Sequence, residues 1–341
     1  MWTIVALLAL GGETDWKKLE APYLHNIHQV THEFVRAGEG YFSPDGKLII
    51  FQAEEKGANP FYQQFIMDLA TGTVRRVSAG VGKTTCGFFA LDGKKIIFAS
   101  SHLDPDATKH YAPEILLRAE ELKSKKRRRY QWDFDPHMAI FEANLDGTGL
   151  RRLTHAPGYN AEGSYSPDGR SIVFCSNRSG EKNLELYIMD ADGTNVRALT
   201  KAPGCYNGGP FFSPDGKKVI FRSDRKKKDH LQLFVINADG TGEKALTDND
   251  QWVFWAPFWY KDGRHIIYTA ADHSDPLQRP NYDLYWMNIE TGKKVRLTFA
   301  PEADVLPVFS PDGLKVMWTS TRSADRSSQL FMADFTPPRE D

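Results

Sequence analysis

The sequence predicts an all-β fold, a six-bladed β-propeller of four-stranded antiparallel blades. Three observations carry the prediction. "FSPDGKLIIF" (42–51) recurs as "YSPDGRSIVF" (165–174), "FSPDGKKVIF" (212–221) and "FSPDGLKVMW" (309–318), with looser copies "ALDGKKIIF" (90–98) and "YKDGRHIIY" (260–268). The turn aspartates Asp45, Asp92, Asp168, Asp215, Asp262 and Asp312 stand 47, 76, 47, 47 and 50 residues apart, a period suited to four strands per repeat. The last unit stops after three strands, while "NIHQVT" (26–31) stands unpaired at the other end. That N-terminal strand is expected to complete the last blade, closing the ring and removing exposed strand edges.

Each unit reads in the same order. A short apolar strand runs into Ser-Pro-Asp-Gly, where proline presets φ and glycine supplies the positive φ of a tight hairpin. An alternating strand follows, as in "KKVIFRS". After a polar loop comes a third strand, as in "LQLFVINADGTG", whose Asp-Gly makes a second hairpin turn. A fourth strand ends on Leu-Thr, as in "VRALT" and "EKALT". The expected organisation is a leader or remnant signal segment over 1–25, one propeller over 26–335 and a tail over 336–341.

The second spacing exceeds 47 by 29 residues. The excess lies between the second and third strands of blade 2, about residues 102–132. Pro113 suits a first helical turn, and Ile115, Leu116, Ala119 and Leu122 share one side of a helix. The segment then turns basic in "KSKKRRR". This insertion reads equally as a docking arm for an acidic partner or surface and as a solvated helix end.

The Ser-Pro-Asp-Gly turns, the Asp-Gly-Thr turns and the Leu-Thr ends together resemble the TolB-like, WD40-like propeller repeat, over about residues 26–335. The resemblance implies the propeller fold and an exported protein of the cell envelope. It carries no N-terminal α/β domain of the TolB kind into this chain.

Several apparent motifs dissolve in the repeat register. "AGVGKTTCGFF" (79–89) mimics a phosphate loop, but Val77 stands where the first glycine is needed, and a strand follows instead of a helix. "MDADGTN" (189–195) lacks the closing glutamate of a calcium loop and recurs as a structural hairpin. "HEFVR" at His32 is not a zinc-protease pair, and there is no Gly-x-Ser-x-Gly elbow. His25, His28 and His32 lie near the closing strand. His102, His110 and His137 flank the insertion, where a metal is a further reading.

The informative positions lie between each Leu-Thr and the next inner strand, on loops expected to line one mouth of the central channel. The register places Arg36, Lys83, Tyr159 and Tyr206 there, beside Thr84, Asn160, Asn207 and Asp304. Glu39, Cys86 and Glu162 follow three residues further on, and blade 5 supplies Trp252, Phe254 and Trp255. Aromatics, amides and charges of both signs suit a binding funnel. Glu39 and Glu162 read either as a pair for a cation or acid–base work, or as partners of Arg36, Lys83 or backbone N–H groups.

The 341 residues carry a formal net charge of −1, which gives no reason to expect nucleic acid. The three cysteines Cys86, Cys175 and Cys205 are too scattered for a disulfide framework. The apolar run Ile4–Leu10 has the length of a short signal core and is too short to span a bilayer. The resulting expectation is a monomeric, periplasmic or secreted propeller. It binds a protein or peptide at the channel mouth, with no catalytic constellation and no cofactor beyond a divalent cation in the channel. The alternative is a glycan-binding protein or polysaccharide lyase or hydrolase that uses the funnel carboxylates or a metal.

Overall fold

Successive side chains point to opposite faces of a strand, and the middle strands are buried on both, so each repeat packs against a neighbour on either side. The computed structural model describes residues 15–57, 59–126, 133–180 and 183–339. In them the six units form six four-stranded antiparallel sheets. The innermost strands are Arg36–Phe42, Thr84–Phe89, Asn160–Tyr165, Asn207–Phe212, Trp252–Trp259 and Asp304–Phe309. The N-terminal strand Leu24–Gln29 pairs antiparallel with Gln329–Phe335 and completes blade 6, as the orphan strand predicts.

The recurring turn is held by its own side chains. In Ser43, Ser166, Ser213 and Ser310 the hydroxyl donates to the aspartate two residues on. The same oxygen accepts the N–H that starts the second strand. These serine bonds, with backbone N–H donors, hold Asp45, Asp168, Asp215 and Asp312 below the usual carboxylate range.

The Leu-Thr ending has an equally local cause. The hydroxyls of Thr31, Thr154, Thr200, Thr247 and Thr298 each accept a third-strand N–H, from Leu330, Ile140, Leu186, Leu233 and Leu284. The threonine thus satisfies a buried donor where the outer strand leaves the sheet. Blade 1 ends on Ser78, whose hydroxyl takes the N–H of Gln64 in the same way. At the centre of each blade one aromatic is wholly buried: Phe51, Phe98, Phe174, Phe221, Tyr268 and Trp318.

In blade 2 the second strand ends at Ser100 and the third begins at Ala139. The insertion between them holds a 3-10 turn, Ala107–His110, and a helix, Tyr111–Ser124. The Arg118 guanidinium bonds Glu54 at 2.7 Å and the Pro60 carbonyl, and the Tyr111 hydroxyl accepts the Gly82 N–H. The helix is therefore tied to blade 1 by polar anchors. Ile115, Leu116, Ala119 and Leu122, the side expected to be apolar, are exposed. Arg127–Arg129 of the basic run and the apolar run Ile4–Leu10 lie outside the described residues.

The packed chain begins before the closing strand. Residues Trp16–Glu20 form a short helix whose buried Glu20 accepts the N–H groups of Phe299 and Ala300. Arg322 joins Glu20 at 2.6 Å and Asp304 at 2.5 Å. Within the span expected as a leader, this segment is thereby fastened to blade 6.

Candidate ligand site at the channel mouth

Every inner strand carries one bulge, and the bulge sets what faces the axis. Its residue holds a left-handed backbone: Glu39 (φ 42°), Cys86 (55°), Glu162 (55°), Gly209 (58°), Ala256 (49°) and Leu306 (56°). The pairing register slips at each of these points. Alanine and leucine adopt this conformation here too, so the bulge belongs to the fold and the side chain it presents is free to vary. Three blades present polar groups, and three present a glycine, an alanine and a leucine.

Two residues deeper, four rings from four blades meet across the axis. Tyr41 lies 5.1 Å from Phe88 and 5.6 Å from Phe211, and Phe211 lies 5.1 Å from Phe258, centroid to centroid. Blades 1 and 4 stand opposite one another, so contact between Tyr41 and Phe211 closes the channel. The channel is a well with an aromatic floor, and it faces the end where the inter-blade crossovers and the second-to-third-strand loops lie.

Directly above that floor lies an ionic group. Arg222, on the second strand of blade 4, bonds Glu162 at 3.1 Å and the Tyr206 hydroxyl at 2.7 Å. Glu162 also accepts the Gly209 N–H and, at 3.6 Å, the Cys175 thiol. A Cβ at Gly209 would collide with the guanidinium, so only glycine admits Arg222 to this place.

Glu39 has a different environment. Its carboxylate is half-buried, accepts the Tyr41 hydroxyl at 3.2 Å, and makes no ion pair with any described residue. Burial, reinforced by the negative charge of Glu162, raises its pKa to about 7. Burial and the nearby Glu39 push the Cys86 thiol well up, so it stays protonated and is a poor nucleophile.

The bulge N–H groups are satisfied across blade boundaries. Glu39 N–H donates to Thr319, Cys86 N–H to Gln52 and Leu306 N–H to Thr269. Each acceptor sits one residue after the buried central aromatic of the preceding blade. Arg222 and Cys175 occupy that same position in blades 4 and 3. Sequence reasoning passed over this second ring. Aligning the repeats one residue past the aromatic shows Gln52, Ala99, Cys175, Arg222, Thr269 and Thr319, in which Arg222 alone is charged.

The expected mouth residues divide into two groups. Glu39, Cys86, Glu162, Tyr159, Tyr206 and Trp255 gather around the well. Phe134, from the returning arm of the insertion, lies edge-on to Tyr159 at 5.5 Å and covers part of the mouth. Trp255 is half-buried, edge-on to Tyr282 at 6.2 Å and 5.9 Å from the Arg222 guanidinium.

Thr84, Asn160, Asn207 and Asp304 are wholly buried inside their blades. They bond Ser100, Ser176, Glu185 and Trp318 respectively. Arg36 turns aside to Glu54 at 2.7 Å and to the ring of Tyr62. Lys83 meets Asp133 at 2.5 Å and Asp135 at 3.0 Å, tying the blade 1–2 crossover to the insertion. Trp252 stacks on buried Phe254, 6.0 Å away.

His110 and His137 both approach Asp104, at 3.3 and 3.8 Å, while His102 turns to Ser100. Among the described residues no three His, Cys, Asp or Glu side chains are arranged to hold a metal ion. No described helix is long and apolar enough to cross a membrane.

No family model matches the chain. Over 47 residues it is 45% identical to the Tol-Pal system protein TolB of Bordetella pertussis, a match spanning 14% of this chain and 10% of that protein. A solved structure of a TolB candidate from Agrobacterium tumefaciens superposes with a TM-score of 0.59 at 20% identity, covering 92% of this chain and 97% of that one. The oligogalacturonate lyase of Vibrio parahaemolyticus superposes with a TM-score of 0.55 at 14% identity, covering 90% and 93%. The repeat and the fold of this chain are TolB-like.

Proposed function

We propose that this TolB-like propeller is a binding protein of the bacterial cell envelope that receives a segment of a protein or peptide partner at its channel mouth. The observation that carries the reading is the well itself. Exposed Phe134 and half-buried Trp255 stand around it, with buried Tyr159 and Tyr206 behind them and charged groups at its base. Such a concavity offers apolar contact first and orienting polar groups below. The periplasmic location draws support from the likeness of the repeat to the Tol-Pal system protein TolB.

The test is affinity capture from envelope extract, comparing the wild-type chain with Trp255→Ala. A specific partner should be retained by the first and lost by the second. Identical protein profiles on both would overturn the reading.

A glycan ligand is the second reading, favoured by the same rings, since aromatic faces stack on sugars, and by the likeness to a lyase fold. Binding or cleavage across a glycan panel, lost in Glu162→Gln, would support it over a protein partner. A blank panel with and without divalent cations removes it.

A further inference from the structure

The well holds two carboxylates and one guanidinium. Arg222 is committed to Glu162, and Glu162 is saturated by Arg222, Tyr206, Gly209 and Cys175. Glu39 is left as a carboxylate inside protein without an ion-pair partner among the described residues. Its other contacts are neutral: the Tyr41 hydroxyl and the Cys86 thiol.

A second unused group lies beside it. Gln52 is buried, and its amide oxygen accepts the Cys86 N–H at 3.3 Å. That bond fixes the orientation of the amide, and its NH2 group donates to no described residue. Glu39 and Gln52 therefore flank Cys86, one lacking a cation and the other lacking an acceptor. Glu39 is half-buried, and the Gln52 amide nitrogen is not sealed from solvent, so both groups are open to an incoming ligand.

We propose that the base of the well is a subsite for one primary ammonium group, carried at the tip of the segment that enters the mouth, with an adjacent carbonyl available to Gln52. This rests on the reading of the mouth as a site for a protein or peptide. A lysine side chain and a free amino terminus both present such a group. An ammonium is compact and brings three donors, which suits a single carboxylate at the bottom of a narrow well.

The groups facing Glu39 decide how binding couples to protons. They are Glu162 from blade 3, Arg222 from blade 4, Cys86 from blade 2, and Tyr41 and Tyr62 from its own blade. Glu162 raises the proton affinity of Glu39, Arg222 lowers it, and burial outweighs both. Near pH 7 the unliganded carboxyl is half protonated. An ammonium takes the place of that proton: the O–H bond of Glu39 breaks, the proton goes to solvent, and an ion pair forms.

The test is calorimetric titration of the full chain at constant ionic strength across a pH series. The probes are butylammonium, acetyl-lysinamide, glycylglycinamide and tetramethylammonium. Butylammonium should bind about tenfold tighter at pH 8 than at pH 6, following the ionised fraction of a carboxyl with a pKa near 7. Proton release should be visible as a buffer-dependent heat. Tetramethylammonium, with charge but no N–H, should not bind. Preference for acetyl-lysinamide identifies a side-chain source, and preference for glycylglycinamide identifies a chain terminus.

Glu39→Gln should lose both the binding and its pH dependence while keeping its circular dichroism spectrum. The wild-type pH series needs no variant, so misfolding of Glu39→Gln leaves the test intact. No saturable binding at pH 8, or affinity independent of pH, overturns the proposal. Loss of the probe titration with partner capture intact removes only this inference, and loss of capture with the titration intact removes only the partner reading.

Discussion

Arg222 of blade 4 and Glu162 of blade 3 form an ion pair at 3.1 Å in which both side chains are almost wholly buried. The pair bridges two blades next to the axis, where each blade otherwise meets its neighbour mainly through apolar packing. Desolvation makes such a pair a modest net stabiliser, but removing one member strands the other charge.

Arg222→Ala should therefore destabilise the propeller by about 3 kcal/mol or more. Arg222→Met in a Glu162→Gln background should cost far less, because no charge is left behind. Urea unfolding of the two variants beside wild type measures the contrast. Equal losses would show that the guanidinium acts through volume alone.

Glu39 gives a stability prediction with a definite sign. Its carboxyl has a folded pKa of about 7, above its ordinary value of 4.5. The folded state therefore holds a proton that the unfolded state has released. The associated stability is fully present below about pH 4.5 and is lost as pH rises through about 7. Glu39→Gln should be more stable than wild type at pH 8, by roughly 3 kcal/mol. The difference should vanish near pH 4.5. Thermal unfolding at the two pH values checks it, and a constant offset would refute the shift.

The third prediction concerns ring closure. Arg322 joins Glu20, ahead of the first strand, to Asp304 of blade 6. Glu20→Ala leaves the Phe299 and Ala300 N–H groups without their acceptor and removes one partner of Arg322. A loss of about 3 kcal/mol is expected. Hydrogen exchange should accelerate first in Leu24–Gln29, the strand that closes the ring. Uniform acceleration across all blades would show that closure is not a separate cooperative step.

The fold was legible because its determinants are local. Ser43 and Asp45 set their turn through bonds within five residues, and Thr247 meets its partner Leu233 inside one hairpin. Repetition then multiplies a short signal. The site was legible in part, for a physical reason. Glu39, Cys86 and Glu162 share a register position that counting recovers. Arg222 reaches the well from a second strand, and its approach depends on a missing side chain at Gly209, a relation between residues 13 apart in sequence. Asn160, Asn207 and Asp304 share the mouth register yet turn inward, because Asn160 and Asp304 meet buried polar partners within their own blades and Asn207 meets Glu185 of the neighbouring blade 3. The insertion helix was read from its apolar spacing, but Arg118 and Tyr111 hold it down, and no periodicity signals an anchor of that kind.

The contact of Tyr41 with Phe211 makes the well a cul-de-sac. Nothing that enters past Trp255 can leave by the far side, so arrival and departure use one path in reverse order. A second molecule cannot push the first one through. On the proposed reading, exchange at the base waits for the whole entering segment to withdraw. Residence time is then set by the slowest step of that retreat, however weak the individual contacts along it.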